Sequence, residues 1–432
     1  MWNVRGETPE EKNETAELIK SRFEVMAASI PGLAKLEVGL DHSRIGYACD
    51  MVLYTEFESQ DALDAYATHP EHLRRGLSVG VLDFTYVAQP ARVVFAKGSL
   101  ATIADEVEAL GCRRALVLCT PPQREQAQRV ADLLGERSAG LYDQAVMHVP
   151  IEVARAARAH AESVNADCAV AVGGGSTIGL GKAIALESGL PIIAVPTTYA
   201  GSEMTPIYGI TEAGIKKTGK DMRVLPRTVI YDPDLTATLP LGLTVVSGIN
   251  AIAHAAEGLY ARDGNPVMGL IAEEGIRALA DGLKRLAADA DDEARSDCLY
   301  GAWLCGTVLG HVGMALHHKL CHTLGGSFNL PHAETHAIVL PHALAYNAPA
   351  VPDAMARIAR ALGTDDAASG LFELARSLGA PTALRDIGMR ESDIDRACEI
   401  ALANPYWNPR PLEAGPLKAL FHRAWEGAPP EA

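Results

Sequence analysis

The stretch DCAVAVGGGSTIGLGKAIA, residues 167–185, decides the fold. Its first half is a continuous apolar run, the pattern of a strand buried on both faces. Three glycines and Ser176 follow, and then an apolar run long enough for a helix. Glycine at a strand-to-helix turn lets a ligand approach the backbone closely, and the open amides of a helix start favour negative charge. Read outward, the same alternation repeats. RRALVLCT (113–120) is a strand, PPQREQAQRVADLLG (121–135) a helix and SAGLYDQAV (138–146) a strand. IEVARAARAHAESVNA (151–166) is a helix and LPIIAVPTT (190–198) a further strand. Strict alternation of this kind predicts a parallel sheet with helices on both faces, a Rossmann-like α/β nucleotide domain over residues 84–243.

From residue 244 the character changes. Apolar-periodic helices are expected over 244–261, 266–287, 293–316 and 334–347, so residues 244–432 form an all-helical substrate and catalytic domain. Residues 1–76 read as helix, two strands and helix, a small ferredoxin-like α+β module, with 77–83 as linker. The formal charge of −16 argues against nucleic acid and against an anionic membrane surface, and an anionic substrate would need locally placed cations. No apolar run has the length of a bilayer span and no signal-peptide pattern opens the chain. The eight cysteines include no CxxC pair, so reduced core thiols and a cytoplasmic location are expected.

The polar loop PTTYAGSE (196–203) follows the strand after the glycine turn. In a parallel sheet both loops lie at the carboxyl ends of strands, where ligands bind. Gly174, Gly175 and Ser176 are therefore candidates for a phosphate, and Thr197, Thr198 and Ser202 for hydroxyl contacts to a pyrophosphate or ribose. A second constellation lies further on. In SGINAIAHAAEG (247–258), Asn250 and His254 are four residues apart and share a helical face. HHKLCHTLGGSFNLPH (317–332) then offers His318, His322 and His332. The pattern is that of a divalent-metal site with an amide in place of one carboxylate. An amide oxygen is a weak ligand for iron or zinc, although three imidazoles can still hold zinc. His311 and His317 are expected to be structural, and His336 and His342 are given no role.

GGGSTIGLGKAIA, PTTYAGSEMTPIYGIT, VIYDPDLTATLP, GINAIAHAAEGLYA, HHKLCHTLGGSFNLPHAETHAIVLPHALAYN and NPYWNPRPL occur in one order. Together they resemble the iron-containing alcohol dehydrogenase superfamily, with its dehydroquinate synthase-like architecture, and most closely its maleylacetate reductase branch. The resemblance runs from about Phe84 to the C-terminus. IPGLAKLEVGLD, DMVLYTEFES and ALDAYATHPEH resemble the stress-responsive A/B-barrel (Dabb) family over most of residues 2–73. That unit is incomplete at both ends, and an accessory or dimer-supporting role is expected of it.

The superfamily resemblance implies NADH or NADPH between two domains, with the pyrophosphate at Gly174, Gly175 and Ser176. It adds Thr197, Thr198 and Lys217 as cofactor contacts. Thr120 stands where many members place an aspartate against the adenosine ribose, so NADPH should be tolerated beside NADH. Metal-using relatives carry Asp-x3-His and then two histidines fourteen apart; here Asn250, His254, His318 and His332 occupy those vestigial positions. The branch implies no metal requirement and reduction of the conjugated C=C of maleylacetate to 3-oxoadipate, in aromatic-compound catabolism, by a homodimer. In a metal-free site, His322 and His332 are expected to stabilise the enolate and deliver the proton. His254 and His318 would orient the substrate or hold its carboxylates, Asn250 would donate an amide N–H, and Arg262 is a further carboxylate candidate. The alternatives are a metal-dependent alcohol or glycerol dehydrogenase, a phosphate-eliminating cyclase of the dehydroquinate synthase type, and an idle fusion serving assembly.

Overall fold

The structure is a computed structural model. It describes residues 33–40, 51–59 and isolated positions before residue 86, then 86–431 apart from 90, 213–214, 289–291 and 404. The chain divides into two compact units, Met1–Asp83 and Phe84–Ala432.

In the first unit, β1 (Leu33–Leu40) and β2 (Met51–Phe57) pair antiparallel, with Leu36 opposite Thr55 and Val38 opposite Leu53. Both strands were expected. The two flanking helices and the linker 77–83 lie outside the described residues.

The second unit opens with a parallel sheet. Its strands are β3 (Arg92–Phe95), β4 (Ala115–Leu118), β5 (Ser138–Tyr142), β6 (Cys168–Gly173), β7 (Ile192–Pro196) and β10 (Thr228–Tyr231), in the order β3-β10-β7-β6-β4-β5. Every residue of β4, β6 and β7 is buried, which explains why they read as unbroken apolar runs. The connecting helices are α1 (Ile103–Ala109), α2 (Arg124–Leu134), α3 (Ile151–Ser163) and α4 (Gly175–Ser188). After β4 the chain moves outward to β5, then returns to the other side of β4 as β6. The loops after β4 and β6 therefore flank a reversal of strand order, the place where open α/β sheets hold ligands. An antiparallel hairpin, β8 (Ile207–Glu212) with β9 (Ile215–Lys220), interrupts the alternation and had no counterpart in the sequence reading.

The helical region begins with α5 (Leu241–Gly258), α6 (Pro266–Ala288), α7 (Asp292–His311), α8 (Leu316–Phe328) and α9 (His332–Asn347). One expectation fails here. The helix predicted over 293–316 stops at His311, and α8 starts at Leu316. Asp263 accepts the Gly313 amide at 2.8 Å, and the buried Glu257 carboxylate accepts the amides of Ala315 and His317 at 2.8 and 2.7 Å. Those carboxylates take up the turn and the open amides of the new helix start, which apolar periodicity cannot reveal. Helix α5 is apolar on all sides and runs through the core of this region, with Asn250 and His254 each 4% exposed.

Candidate active site

The glycine turn is built for close approach. Gly173 ends β6 in register with Pro196 of β7, and its backbone has φ of 149°. A Cβ there would lie 2.5 Å from Gln123 Oε1 and 2.6 Å from Thr177 Oγ1. A Cβ on Gly174 would lie 2.9 Å from Thr198 Oγ1, whereas at Gly175 the space outward is open for 4 Å. No side chain caps the start of α4. An open cradle over uncapped helix amides fits a dinucleotide pyrophosphate at Gly174, Gly175 and Ser176. Thr197 donates its amide to Gly173 O at 3.2 Å, which brings the two loops side by side. Gln123 ties Thr197 Oγ1 (2.7 Å) to Thr120 Oγ1 (3.0 Å), so two of the predicted cofactor positions share one hydrogen-bonded edge.

Two other cofactor candidates are engaged elsewhere. Lys217 is exposed on the hairpin and pairs with Glu212 at 2.7 Å. The Ser202 hydroxyl and carbonyl lie 3.3 and 2.7 Å from Lys182 Nζ. Lys182 also donates to Thr205 Oγ1 (2.9 Å) and Ile207 O (2.8 Å), and it is fully buried, which pushes its ammonium down to about 7. This lysine pins the loop after β7, and the sequence reading missed it. The signal was present: Lys182 is the one cation inside an otherwise apolar helix run.

That loop reaches the histidines. Gly201 packs against α7 so closely that a Cβ on Gly306 would lie 2.8 Å from Gly201 Cα. The Ala200 carbonyl lies 3.3 Å from His254 Nε2, His254 Nδ1 lies 2.9 Å from His318 Nε2, and His318 Nδ1 lies 2.7 Å from Glu257 Oε2. His254 and His318 thus face each other and protein acceptors. Burial drives His254 well below its ordinary value and His318 down to about 3. Burial thus favours the neutral form of both rings, which suits orienting a substrate by hydrogen bonds.

His317 and His336, expected to stand apart, belong to the same cluster. Both are fully buried, with His317 Nε2 2.9 Å from His336 Nδ1. The His336 ring centre lies 5.1 Å from His318 and 4.3 Å from His332. The 317–322 run is dense in histidine, and helical spacing alone did not separate ring contacts behind the site from those facing it. His322 and His332 are exposed. His322 Nδ1 lies 2.9 Å from the Tyr406 hydroxyl, and its ring centre is 6.1 Å from His318. His332 opens α9 directly after Pro331, as predicted. Arg262 is exposed on the turn after α5, and His311 bonds to Thr307 O at 2.7 Å.

The candidate ligand set Asn250, His254, His318 and His332 offers a divalent metal no carboxylate. Nitrogens of His254 and His318 are committed to each other, to Ala200 and to Glu257, and the first ligand position is the neutral Asn250. Its Oδ1 is buried without a protein partner, a single neutral acceptor. Without a coordinating carboxylate, a dication keeps its charge largely uncompensated.

Two sequence models cover most of the second unit: Iron-containing alcohol dehydrogenase over 90–233, and Fe-containing alcohol dehydrogenase family, C-terminal, over 244–425. The Stress responsive A/B Barrel Domain model matches 1–79. A maleylacetate reductase from Burkholderia cepacia is 61% identical over 80% of this chain and 99% of its own length. Crystal structures of maleylacetate reductases from Agrobacterium tumefaciens and Rhizobium sp. strain MTP-10005 are each 52% identical. Each covers 81% of this chain and 100% of the relative, with TM-scores of 0.79 and 0.78. Proteins of this kind bind NAD(P) and usually iron. The chain belongs to the iron-containing alcohol dehydrogenase family and is an oxidoreductase with a stress responsive A/B barrel domain at its N-terminus.

Proposed function

We propose that the chain is a maleylacetate reductase, reducing the conjugated C=C of maleylacetate to give 3-oxoadipate at the expense of NADH or NADPH. The observation that carries this is 61% identity across 99% of the Burkholderia cepacia enzyme. The location and assembly that go with this reading are the cytoplasm and a homodimer. Among the described residues no single helix is long and apolar enough to cross a membrane.

Gly174, Gly175, Ser176, Thr197 and Thr198 would hold the dinucleotide, which would supply a hydride when bound. Hydride arriving at the carbon beta to the ketone leaves an enolate, and the adjacent carbon then takes a proton. Conjugation spreads the developing charge, so hydrogen-bond donors suffice where an isolated ketone would gain most from a Lewis acid. His322 and His332 are the exposed imidazoles of the cluster, placed to stabilise the enolate and deliver the proton. Tyr406 fixes His322 through Nδ1, so proton exchange with substrate runs through Nε2. His254 and His318 act as positioning residues, and Asn250 presents an uncharged amide where a carboxylate would repel a dianion. Lys217 and Arg262, both exposed, are the weaker contacts of this reading.

Oxidation of NADH and NADPH by the purified full chain, followed at 340 nm with maleylacetate and with or without a chelator, tests the reading. Turnover insensitive to chelation is expected. No oxidation of either coenzyme would overturn the activity, and loss on chelation restored by iron or zinc would overturn the metal-free site.

A further inference from the structure

Lys319 follows His318 on α8 and is only 9% exposed. Its Nζ lies 5.6 Å from the centre of the Tyr406 ring. Among the described residues no carboxylate pairs with it, although the chain carries 54 acidic residues. The aliphatic stem is covered while the ammonium sits over the Tyr406 face, a weak partner that leaves its charge available to an anion. Surface lysines of this protein do find carboxylates; Lys217 with Glu212 and Lys418 with Asp395 are examples. Lys319, without such a carboxylate, lies beside the candidate active site.

The wall around it is fixed. Asn408 and Asn347 exchange amide hydrogen bonds at 2.9 and 2.7 Å, and Asn408 Oδ1 accepts the Leu316 amide at the start of α8. Arg410 donates to Tyr346 O at 2.7 Å and its guanidinium lies 4.4 Å from the Tyr346 ring centre. The segment 405–411 is thereby tied to both α8 and α9. Tyr406 from that segment touches His322 through its hydroxyl and Lys319 through its ring face.

Resting on the function proposed above, we propose that Lys319 is the recognition group for one carboxylate of the dianionic substrate, with Tyr406 as the wall that places that carboxylate relative to His322. The bound carboxylate supplies the missing counter-charge, so the site selects for a second negative charge on the substrate. A cation that has no protein carboxylate beside it and stands at the edge of the site favours a carboxylate over the neutral amide of the same shape.

The test compares the full-length protein with Lys319→Met, using calorimetric binding of maleate and its half-amide maleamate to the NADH-bound enzyme. The wild type should prefer maleate by about a hundredfold and the variant should bind both alike. For turnover, kcat/KM for maleylacetate should fall about a hundredfold in the variant. Retained preference in Lys319→Met, or no preference in the wild type, overturns the proposal. If the methionine variant does not fold, Lys319→Gln is read in the same way. Should the wild type fail to reduce maleylacetate, the proposed function falls, while the maleate and maleamate comparison still decides the role of Lys319.

Discussion

Glu257 Oε2 lies 2.7 Å from His318 Nδ1, and both side chains are buried. Three contacts run in series from Ala200 O through His254 and His318 to Glu257, at 3.3, 2.9 and 2.7 Å. Each needs one proton, and two neutral imidazoles supply two. The third belongs to Glu257, whose carboxyl burial pushes up to about 7 against the pull of three backbone amides.

A stability profile follows from that count. The folded-state value of Glu257 lies above its ordinary 4.5, so its contribution is complete below about pH 4.5 and is lost as pH rises through about 7. The limit is about 3 kcal/mol. Thermal unfolding between pH 5 and 8.5 should show Tm declining across neutrality in the wild type, and a flatter profile in Glu257→Gln. Parallel profiles would show that Glu257 is ionised throughout.

Tyr406 offers a separate test of the reacting face. Removing its hydroxyl in Tyr406→Phe frees His322 Nδ1 without opening a cavity. Turnover of maleylacetate should fall about tenfold, within the usual range for general acid–base groups, with KM for NAD(P)H unchanged. His322→Ala and His332→Ala should each cost about a hundredfold or more. Near-normal steady-state rates in all three would move the chemistry to other residues.

The α/β half was legible because burial on both faces makes β4, β6 and β7 continuous apolar runs, and the glycine turn between β6 and α4 lies where the period changes. The site was legible in part. The meeting of His254 with His318 was legible from spacing, since their helices are regular. Contacts that depend on tertiary placement were not. Glu257 caps a helix it does not belong to, Lys182 crosses from α4 to the next loop, and Tyr406 arrives from beyond residue 400. None of these leaves a local period. The hairpin β8–β9 was missed because a short strand pair inside an α/β alternation has the same composition as a loop.

Lys182 tests how far the loop after β7 depends on one cation. Its Nζ serves four oxygens between 2.7 and 3.3 Å in a site closed to water. Lys182→Met keeps the length and removes every donor, leaving buried acceptors unpaired. Denaturant unfolding should show a loss of about 3 kcal/mol. Because Ala200 in the same loop contacts His254, turnover should fall more than the affinity for NAD(P)H. An unchanged midpoint would mean that water replaces the ammonium.

Asn250 decides the charge of the pocket. Its Oδ1 is buried and unpartnered, and the nearest ionisable acid in this hydrogen-bonded chain, Glu257, faces the far side of His318. Asn250→Asp places a negative charge on α5, one turn before His254, and adds a carboxylate to the candidate metal-ligand set. Two effects should appear together. Zinc or iron retained after dialysis should rise from substoichiometric to near one per chain, because the carboxylate offsets a dication where the amide did not. Metal-stripped Asn250→Asp should reduce maleylacetate at least tenfold more slowly, since a carboxylate repels a dianionic enone in a low-dielectric pocket. Elemental analysis and coenzyme oxidation on the same samples read both. If the wild type already holds one tightly bound metal and loses turnover without it, the amide is a ligand after all and the electrostatic account of Asn250 fails.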